Sequence, residues 1–541
     1  MNDHQVSTSW LRGIGNPWTG PATAGSHRSR RIRALGLLLV LTFCAAAFSL
    51  SGCDGMATVD PPTLQIDDGP PTPPVHSVVN EIGVAAGFHS SAVVELDDIN
   101  FTAPGTCTDV VVELEDGNPY GGSSSCTFTI DNNGRTVVTD NSPIEPGEPP
   151  AIWSCWDSTS GTADRCVRED GSHRIEALNL VQQTSPSVTL PSNGNYAVRA
   201  EWKPLQTSIV GEGSLTNGLL SGIAGVATKG VGFTSGTIAI QLNPLGSNGF
   251  GTGTLTSRLG VNSIAWASVS STKFLFIQSS GTGAMFGELD AQGILPTGAP
   301  SFTGAGGMKG VNPSQNAPWG AAMELQNNPT AGIVRAFVTD ANVTDASTGL
   351  SAITTNYGAE SGDMMISVPS GPSNDFPNLL HLVFFGFGSS SGPSAFVQDA
   401  SNGSNAAKNT AGVGTLSAQP PTTFTASDFG NQWTFSCPTL VPGDSGVAAG
   451  TSFVNSSNDL VVRYDAVGPS GMQANAAINV SANPAIANST AGMATVAAAN
   501  GSYAIAGVMT GTGASAAFSA FVNTASAVAS YGRQNLCLGS H

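Results

Sequence analysis

The feature that most constrains the fold is a series of short apolar runs separated by glycine-rich turns. Five such runs follow one another closely, at residues 236–242, 251–258, 262–269, 272–278 and 284–290. Runs of this length predict β-strands, and such short connections permit only antiparallel pairing, because parallel strands need long crossovers. We therefore predict an antiparallel meander. A barrel or a two-sheet sandwich would protect the edges of so many short strands.

The composition supports an all-β fold and excludes some functions. Only 10% of the residues are charged, whereas a helical coiled coil would need many Glu and Lys side chains. The net charge of −18 disfavours nucleic acid as a partner, since phosphates would be repelled. Acidic residues are densest before residue 204. They could attract cations or basic partners, or they could simply form a solvated surface.

Three β regions can be separated by composition. Residues 77–204 contain strand-like segments punctuated by Asp-Gly and Asn-Gly turns, and residues 131–134 should form a tight hairpin. Seven or eight short strands in about 125 residues predict an Ig-like sandwich. Residues 205–415 are rich in Gly, Ser and Thr and predict one or more antiparallel β domains. Residues 416–541 predict a C-terminal β domain.

Six cysteines lie in these β regions, and an even number in an exported chain predicts disulfides. They are Cys107, Cys126, Cys155, Cys166, Cys437 and Cys537. Six cysteines allow 15 pairings. Proximity along the chain favours Cys107–Cys126, Cys155–Cys166 and Cys437–Cys537. A zinc site is disfavoured because the chain has no CxxC motif and no histidine accompanies these cysteines.

The N-terminal region has the form of an export signal. Arginines cluster in residues 28–33, and the apolar run 34–50 follows them. The tetrapeptide Leu-Ser-Gly-Cys at 50–53 resembles the lipobox of bacterial lipoprotein signals. The resemblance implies a diacylglycerol on the Cys53 thiol, cleavage before Cys53 and acylation of the new amino group. An uncleaved signal anchor and a twin-arginine signal at 29–35 are the alternatives.

This resemblance defines the first two segments of the chain. Residues 1–52 would be a signal peptide without fixed structure, and residues 53–76 a lipidated cysteine followed by a proline-rich, extended tether. The localisation implied is the cell envelope, either at the cell surface and outer membrane or on the periplasmic face. Residues 249–278 also resemble repeated β modules of large uncharacterised bacterial envelope lipoproteins. Within them, 249–271 is weakly similar to 489–511.

One catalytic motif is suggested by the sequence. Ser445 lies in Gly-Asp-Ser-Gly, which chymotrypsin-like proteases carry at their nucleophile, but Val447 stands where a second glycine is expected. A triad would also need a histidine base and a buried carboxylate. His381 lies in an apolar strand-like run, where a core role is expected. A β-turn formed by Pro-Gly-Asp-Ser-Gly explains the residues around Ser445 better than catalysis does.

The sequence also suggests two binding chemistries. The side-chain oxygens of Asp97, Asp98, residues 113–118 and residues 131–134 are suited to Ca²⁺, although no EF-hand pattern is present and turn formation explains these residues equally well. Trp153 and Trp156 flank Cys155 and could bind a sugar, although a tryptophan packed on a disulfide usually belongs to a core. The sequence requires no cofactor.

The sequence therefore predicts a lipid-anchored envelope protein with a structural, binding or adhesion role rather than an enzyme. Its partners would be the membrane and a protein or glycan ligand. A secreted hydrolase that uses Ser445 is one alternative. A ligand-carrying β-barrel is another, and it would require an enclosed apolar cavity inside a barrel.

Overall fold

A computed structural model describes residues within 79–540, all of which belong to one compact unit. It leaves out 89–91, 116–117, 144–146, 148, 159–162, 171–173, 186–189, 204–205, 279–283, 313–316, 329–332, 341–348, 369–375, 391, 402–408, 420–422, 426–427, 429–431, 438–445, 456, 458, 469–470, 481–484, 490–491, 498–502, 512–516 and 525–535. The described residues form 33 β-strands, which confirms the all-β prediction. Among them, no helix is long and apolar enough to span a bilayer.

The first eight strands form a closed barrel. They are β1 (Asn80–Phe88), β2 (Ala92–Ala103), β3 (Thr106–Glu115), β4 (Asn118–Ile130), β5 (Arg135–Asp140), β6 (Ile152–Asp157), β7 (Ala163–Arg168) and β8 (Ile175–Gln182). Each strand pairs antiparallel with the next, and β8 returns beside β1, with Leu178 opposite Ala85. The Ig-like sandwich expected for residues 77–204 is not confirmed, because this last pairing joins all the strands in one cycle rather than in two sheets.

The second closed barrel contains the predicted meander. Its strands are β9 (Gly194–Lys203), β10 (Thr207–Thr216), β11 (Leu219–Thr228), β12 (Gly232–Leu242), β13 (Gly251–Ser257), β14 (Gly260–Ser268), β15 (Lys273–Gln278) and β16 (Ala284–Ala291). β9 lies before the expected domain boundary at residue 204, yet it pairs with both β10 and β16 and so closes this barrel. The interior is packed, with Trp266 and Phe274 in edge-to-face contact.

The third closed barrel repeats the up-and-down arrangement. Its strands are β17 (Phe302–Asn312), β18 (Ala317–Asn328), β19 (Ile333–Asp340), β20 (Gly349–Tyr357), β21 (Asp363–Ser367), β22 (Leu379–Phe385), β23 (Ser394–Asp399) and β24 (Val413–Ala418). Aromatic and aliphatic side chains fill its interior, including Phe302 and Phe384 in edge-to-face contact. The region 205–415 therefore contains most of two barrels.

The last nine strands form one open sheet. They are β25 (Trp433–Cys437), β26 (Val447–Val454), β27 (Leu460–Gly468), β28 (Gly471–Val480), β29 (Ala485–Asn488), β30 (Met493–Ala497), β31 (Tyr503–Thr510), β32 (Ala517–Thr524) and β33 (Leu536–Ser540). The first and last strands, β25 and β33, pair at its centre, and β28 and β29 are its edges. The weakly similar segments 249–271 and 489–511 both form hairpins, β13–β14 and β30–β31.

The structure contains three disulfides, and their pairing is the one that proximity favours. Cys107 is bonded to Cys126 and Cys155 to Cys166, each across two neighbouring strands of the first barrel. The bond between Cys437 and Cys537 joins β25 to β33 over a sequence separation of 100 residues. This third disulfide therefore links the first and last strands of the C-terminal sheet, which are neighbours at its centre.

The modules pack on one another through the outer faces of their strands. Val94 and Leu96 of the first barrel share a buried apolar cluster with Phe250 and Ile277 of the second barrel. A second cluster joins the second and third barrels, and a third joins the first barrel to the C-terminal sheet. Many strands therefore bury both faces, one inside their own barrel and the other against a neighbouring module.

Candidate functional site

The first barrel places its acidic residues inside. Along β2, Glu95 and Asp97 alternate with Val94 and Leu96. The apolar pair faces the second barrel, so the acidic pair must face inward. Solvent exposure alone would have predicted the reverse orientation, because a lone sheet with this pattern would turn its acids to water.

Nine inward-facing carboxylates are buried in this way, each at most 3% exposed. They are Glu81, Glu95, Asp97, Asp109, Glu113, Asp140, Asp157, Asp164 and Glu176. The interpretation of the acidic first third as a solvated surface is therefore wrong for these residues. The physical reason is the contact between the first and second barrels. This contact buries the apolar outer face of β2, so the acidic side chains of the strand lie on the inner face.

Two buried arginines neutralise part of this acidic interior. Arg168 Nη1 lies 3.1 Å from both Glu95 Oε1 and Glu176 Oε2. Arg174 forms an ion pair with Glu113 and lies 3.5 Å from Glu95. Arg168 also stacks over the ring of Trp153, with its Cζ 5.8 Å from the centroid. These contacts hold three of the acids in one network.

Among the described residues, Asp97, Asp109 and Asp140 form no ion pair like those of Glu95, Glu113 and Glu176. Both carboxylate oxygens of Asp97 are buried without a hydrogen-bond partner among the described atoms. Desolvation and then the charge of Asp140 raise the pKa of Asp97 well above its ordinary value, and desolvation raises the pKa of Asp140 to about 6. These side chains line a cavity of about 10 Å³, the space of roughly one water molecule.

The calcium ligands suggested by the sequence are dispersed in the structure. Asp97 and Glu113 face the barrel interior, whereas residues 131–134 form the β4–β5 turn. There the Asp131 carboxylate accepts hydrogen bonds from the amides of Asn133 and Arg135, and Gly134 adopts a φ of 79°. In the part of the chain that is described, no three His, Cys, Asp or Glu side chains are gathered as metal ligands.

A larger cavity, which we call the central cavity, lies where the four β modules meet. Its volume is about 320 Å³, within the range of small-molecule sites. The first barrel contributes Val84 and Arg165, and the second contributes Phe286. The third contributes Lys309, and the C-terminal sheet contributes Ser436. A ligand-carrying barrel would enclose a cavity of this kind, but here the second and third barrels have packed interiors and the cavity lies between modules.

Four basic side chains converge on the central cavity, which is unusual in so acidic a chain. They are Arg165, Arg199, Lys273 and Lys309. Among the described residues of its lining the acids are Glu201 and Glu288, and Asp290, outside the lining, lies 3.8 Å from Lys273. All four bases occupy outward-facing positions of their strands. Each side chain therefore faces the space between the modules and not the interior of a barrel.

Ion pairs fix three of these bases. Glu288 bridges Arg199 at 2.8 Å and Lys273 at 2.6 Å. Desolvation opposes the ionisation of Glu288, but the charges of Arg199 and Lys273 outweigh it and lower the pKa of Glu288 to about 2. Lys309 Nζ lies 2.9 Å from Glu201 Oε2 and 5.4 Å from the ring centroid of Phe286.

Arg165 is held differently from the other three bases. Its Nη1 donates to the backbone carbonyls of Asp164 and Leu180, at 3.0 and 3.2 Å. Its Nε is buried and has no hydrogen-bond partner among the described atoms. Burial lowers the pKa of Arg165 below its ordinary value, against the charges of Asp164 and Glu81. Arg165 therefore lines the central cavity with one N–H donor that the described atoms leave unpaired.

The structure places some of the candidate sugar-binding and catalytic residues in buried positions, and others lie outside the described residues. Trp153 and Trp156 are each 1% exposed, so neither can offer an open platform to a sugar. His381 is buried on β22, 3.7 Å from Asp363 and edge-on to Phe233. Cys53 and Ser445 lie outside the described residues, so lipidation and nucleophilic chemistry remain predictions.

The four bases of the central cavity were missed in the sequence, although a signal was present. Lys273 begins an otherwise apolar strand, and Lys309 follows a run of glycine, alanine and methionine. A lone base on an otherwise uncharged strand is more costly to bury than an apolar residue, so it marks a position with a specific partner. Their convergence depends on how the barrels are placed.

The chain was compared with known proteins. No family model matches it, and no curated protein matches it. Among solved structures, one similarity is to the isotype 1 transferrin binding protein B from serogroup B Neisseria meningitidis. The sequences are 7% identical, the alignment covers 64% of this chain and 78% of that chain, and the TM-score is 0.19. A TM-score this low assigns neither a fold nor a function to the chain.

Proposed function

We propose that this chain is a lipid-anchored protein of the cell envelope that binds a ligand and does not catalyse a reaction. The observation that carries the binding role is the central cavity. Its lining combines apolar side chains with a few converging polar groups, the arrangement typical of small-molecule sites. The lipobox at 50–53 supports the anchored location.

Rigid support of the cavity favours binding. Its walls are strands of the three closed barrels and of the C-terminal sheet, and ion pairs hold three of its four bases. A site whose side chains are fixed before the ligand arrives loses less entropy on binding. The protein or glycan ligand expected from the sequence would contact a surface instead, and no described feature favours one.

Native mass spectrometry tests the binding role. The full-length chain would be extracted in mild detergent from the membranes of the producing organism. We expect a non-covalently bound mass that denaturation releases. Val84 lines the cavity and is half-buried, so Val84→Trp would place a large side chain inside the cavity. We expect this variant to bind no ligand and to show no additional mass.

Val84→Ala is the matched control, because it alters the same wall without filling the cavity. Circular dichroism would confirm that both variants retain the β fold. A bound mass that persists in Val84→Trp, or the absence of one from the unmodified chain, would contradict the proposal.

A further inference from the structure

We propose that the central cavity binds a small organic carboxylate with an apolar body. This inference rests on the proposed binding function and specifies the class of ligand. The carboxylate would lie against Arg165, and the apolar body would contact Leu275, Phe286 and the small aliphatic side chains of the wall.

The basic side chains of the central cavity favour an anionic ligand. The cavity lining has four bases and two acids, whereas the whole chain has a net charge of −18. Acids outside the lining offset part of this positive charge, since Asp290 lies 3.8 Å from Lys273 and the charges of Asp164 and Glu81 act on Arg165. The bases that face the cavity nevertheless favour a ligand that brings a counter-charge. A bound anion would supply it. A cation would meet repulsion from the same side chains, because Glu288 and Glu201 are already engaged by bases.

Donor geometry favours a carboxylate. Arg165 has Nη1 occupied by two backbone carbonyls, while its Nε is buried without a partner in the described structure. A guanidinium edge presents N–H groups in a fixed plane that matches the two oxygens of a carboxylate. A ligand oxygen at this position would satisfy the Arg165 donor that is unpaired among the described atoms.

The remaining wall indicates the character of the ligand body. Val84, Val181, Leu275, Phe286 and Val413 line the cavity alongside the bases. Burying apolar ligand surface against them contributes roughly 25 cal/mol per Å². A fully hydrophilic anion would forgo this contribution, so we infer an amphipathic ligand.

Isothermal titration calorimetry at neutral pH tests the inference with three probes that share one alkyl chain: octanoate, 1-octanol and octyltrimethylammonium. We expect octanoate to bind the full-length protein at least about tenfold more tightly than either of the others, the difference that a charged hydrogen bond provides. Arg165→Gln should weaken octanoate binding by about tenfold or more and leave 1-octanol binding unchanged.

Arg258→Gln is the matched control, since it removes one positive charge from an exposed position outside the cavity. Lys273→Gln, at a side chain 38% exposed, provides a second test should Arg165→Gln fail to fold. Equal or tighter binding of 1-octanol or octyltrimethylammonium would overturn the carboxylate assignment but preserve the binding function. Failure of all three probes to bind would overturn both, as would equal losses in Arg258→Gln and the cavity variants.

Discussion

Trp156 Nε1 donates a hydrogen bond of 2.7 Å to Asp465 Oδ2, across the boundary between the first barrel and the C-terminal sheet. The same oxygen accepts from Ser154 Oγ at 2.8 Å and from Arg135 Nε at 3.0 Å. The other carboxylate oxygen accepts from the amide of Asn475. One fully buried carboxylate thus connects two modules that are distant in the sequence.

Replacing Asp465 should destabilise the protein strongly. Asp465→Ala removes the acceptor of four donors and leaves the Arg135 guanidinium with Glu169 as its one ion-pair partner among the described residues. We expect a loss of about 3–5 kcal/mol in the free energy of unfolding, the cost of breaking a buried ion pair from one side. Urea denaturation, followed by tryptophan fluorescence, would measure it.

Glu360→Gln is the control, because Glu360 is exposed in the β20–β21 turn. It should change the free energy of unfolding by less than about 0.5 kcal/mol. Equal stabilities of Asp465→Ala and the unmodified chain would show that this contact between modules contributes nothing to folding.

Stability should rise as the pH falls from 8 to 5.5. Desolvation, followed by the charge of Glu176, raises the pKa of Glu113 to about 7, and desolvation raises the pKa of Glu324 to about 7. A carboxyl with a raised folded-state pKa stabilises the protein below its unfolded pKa, and this contribution is lost as the pH rises through the folded value. We expect a gain of about 2 kcal/mol or more, measured by urea denaturation at each pH.

The contribution of Glu288 to stability depends on pH in the opposite sense, but it does not change between pH 8 and pH 5.5. Its pKa of about 2 lies below the ordinary 4.5, so its stabilising contribution is lost only under more acidic conditions. Stability that is constant, or that falls between pH 8 and 5.5, would contradict the buried acidic interior.

Asp97→Asn should remove part of this pH dependence. It deletes the charge of a fully buried side chain that has no hydrogen-bond partner among the described atoms. At pH 8 we expect a gain of at least about 1 kcal/mol in the free energy of unfolding, since a buried carboxylate without a partner costs more than a neutral amide of the same size. At pH 5.5 the difference from the unmodified chain should shrink. A destabilised Asp97→Asn at pH 8 would indicate that the charge itself is required.

Removing the disulfide between Cys437 and Cys537 should lower the free energy of unfolding more than removing the disulfide between Cys155 and Cys166. The first closes a loop with a sequence separation of 100 residues and the second one of 11. The entropy of loop closure predicts that the free energy of unfolding falls by about 4–5 kcal/mol without the Cys437–Cys537 bond and by about 3 kcal/mol without the Cys155–Cys166 bond. Paired Cys→Ala variants, compared by urea denaturation, would measure both, and the reverse order would contradict the loop-entropy account.

Cys53→Ser should release the protein from the membrane. The lipobox resemblance implies lipid on this thiol, and two or more acyl chains give stable anchoring. Mass spectrometry of the N-terminal peptide should detect the lipid in the unmodified chain only. Cys44→Ser, within the apolar run, is the control and should remain anchored. Membrane retention of Cys53→Ser would favour the uncleaved signal anchor.

The sequence by itself determined the local structure. The strand runs between 236 and 290 coincide with β12–β16, and the turn at 131–134 forms as expected. These features depend on alternation, turn residues and short connections, all of which act over a few residues. Antiparallel pairing of neighbouring strands followed for the same reason.

Only the tertiary structure decided how the strands close and what each face contacts. The pairing of β1 with β8 joins residues far apart in sequence, and no local signal distinguishes it from a sandwich. The alternation in β2 separates Glu95 and Asp97 from Val94 and Leu96, but it cannot say which face is inside once both are buried. The bases of the central cavity meet for a related reason, since each lies on a different outer face. Packing between barrels, and not periodicity, brings them together.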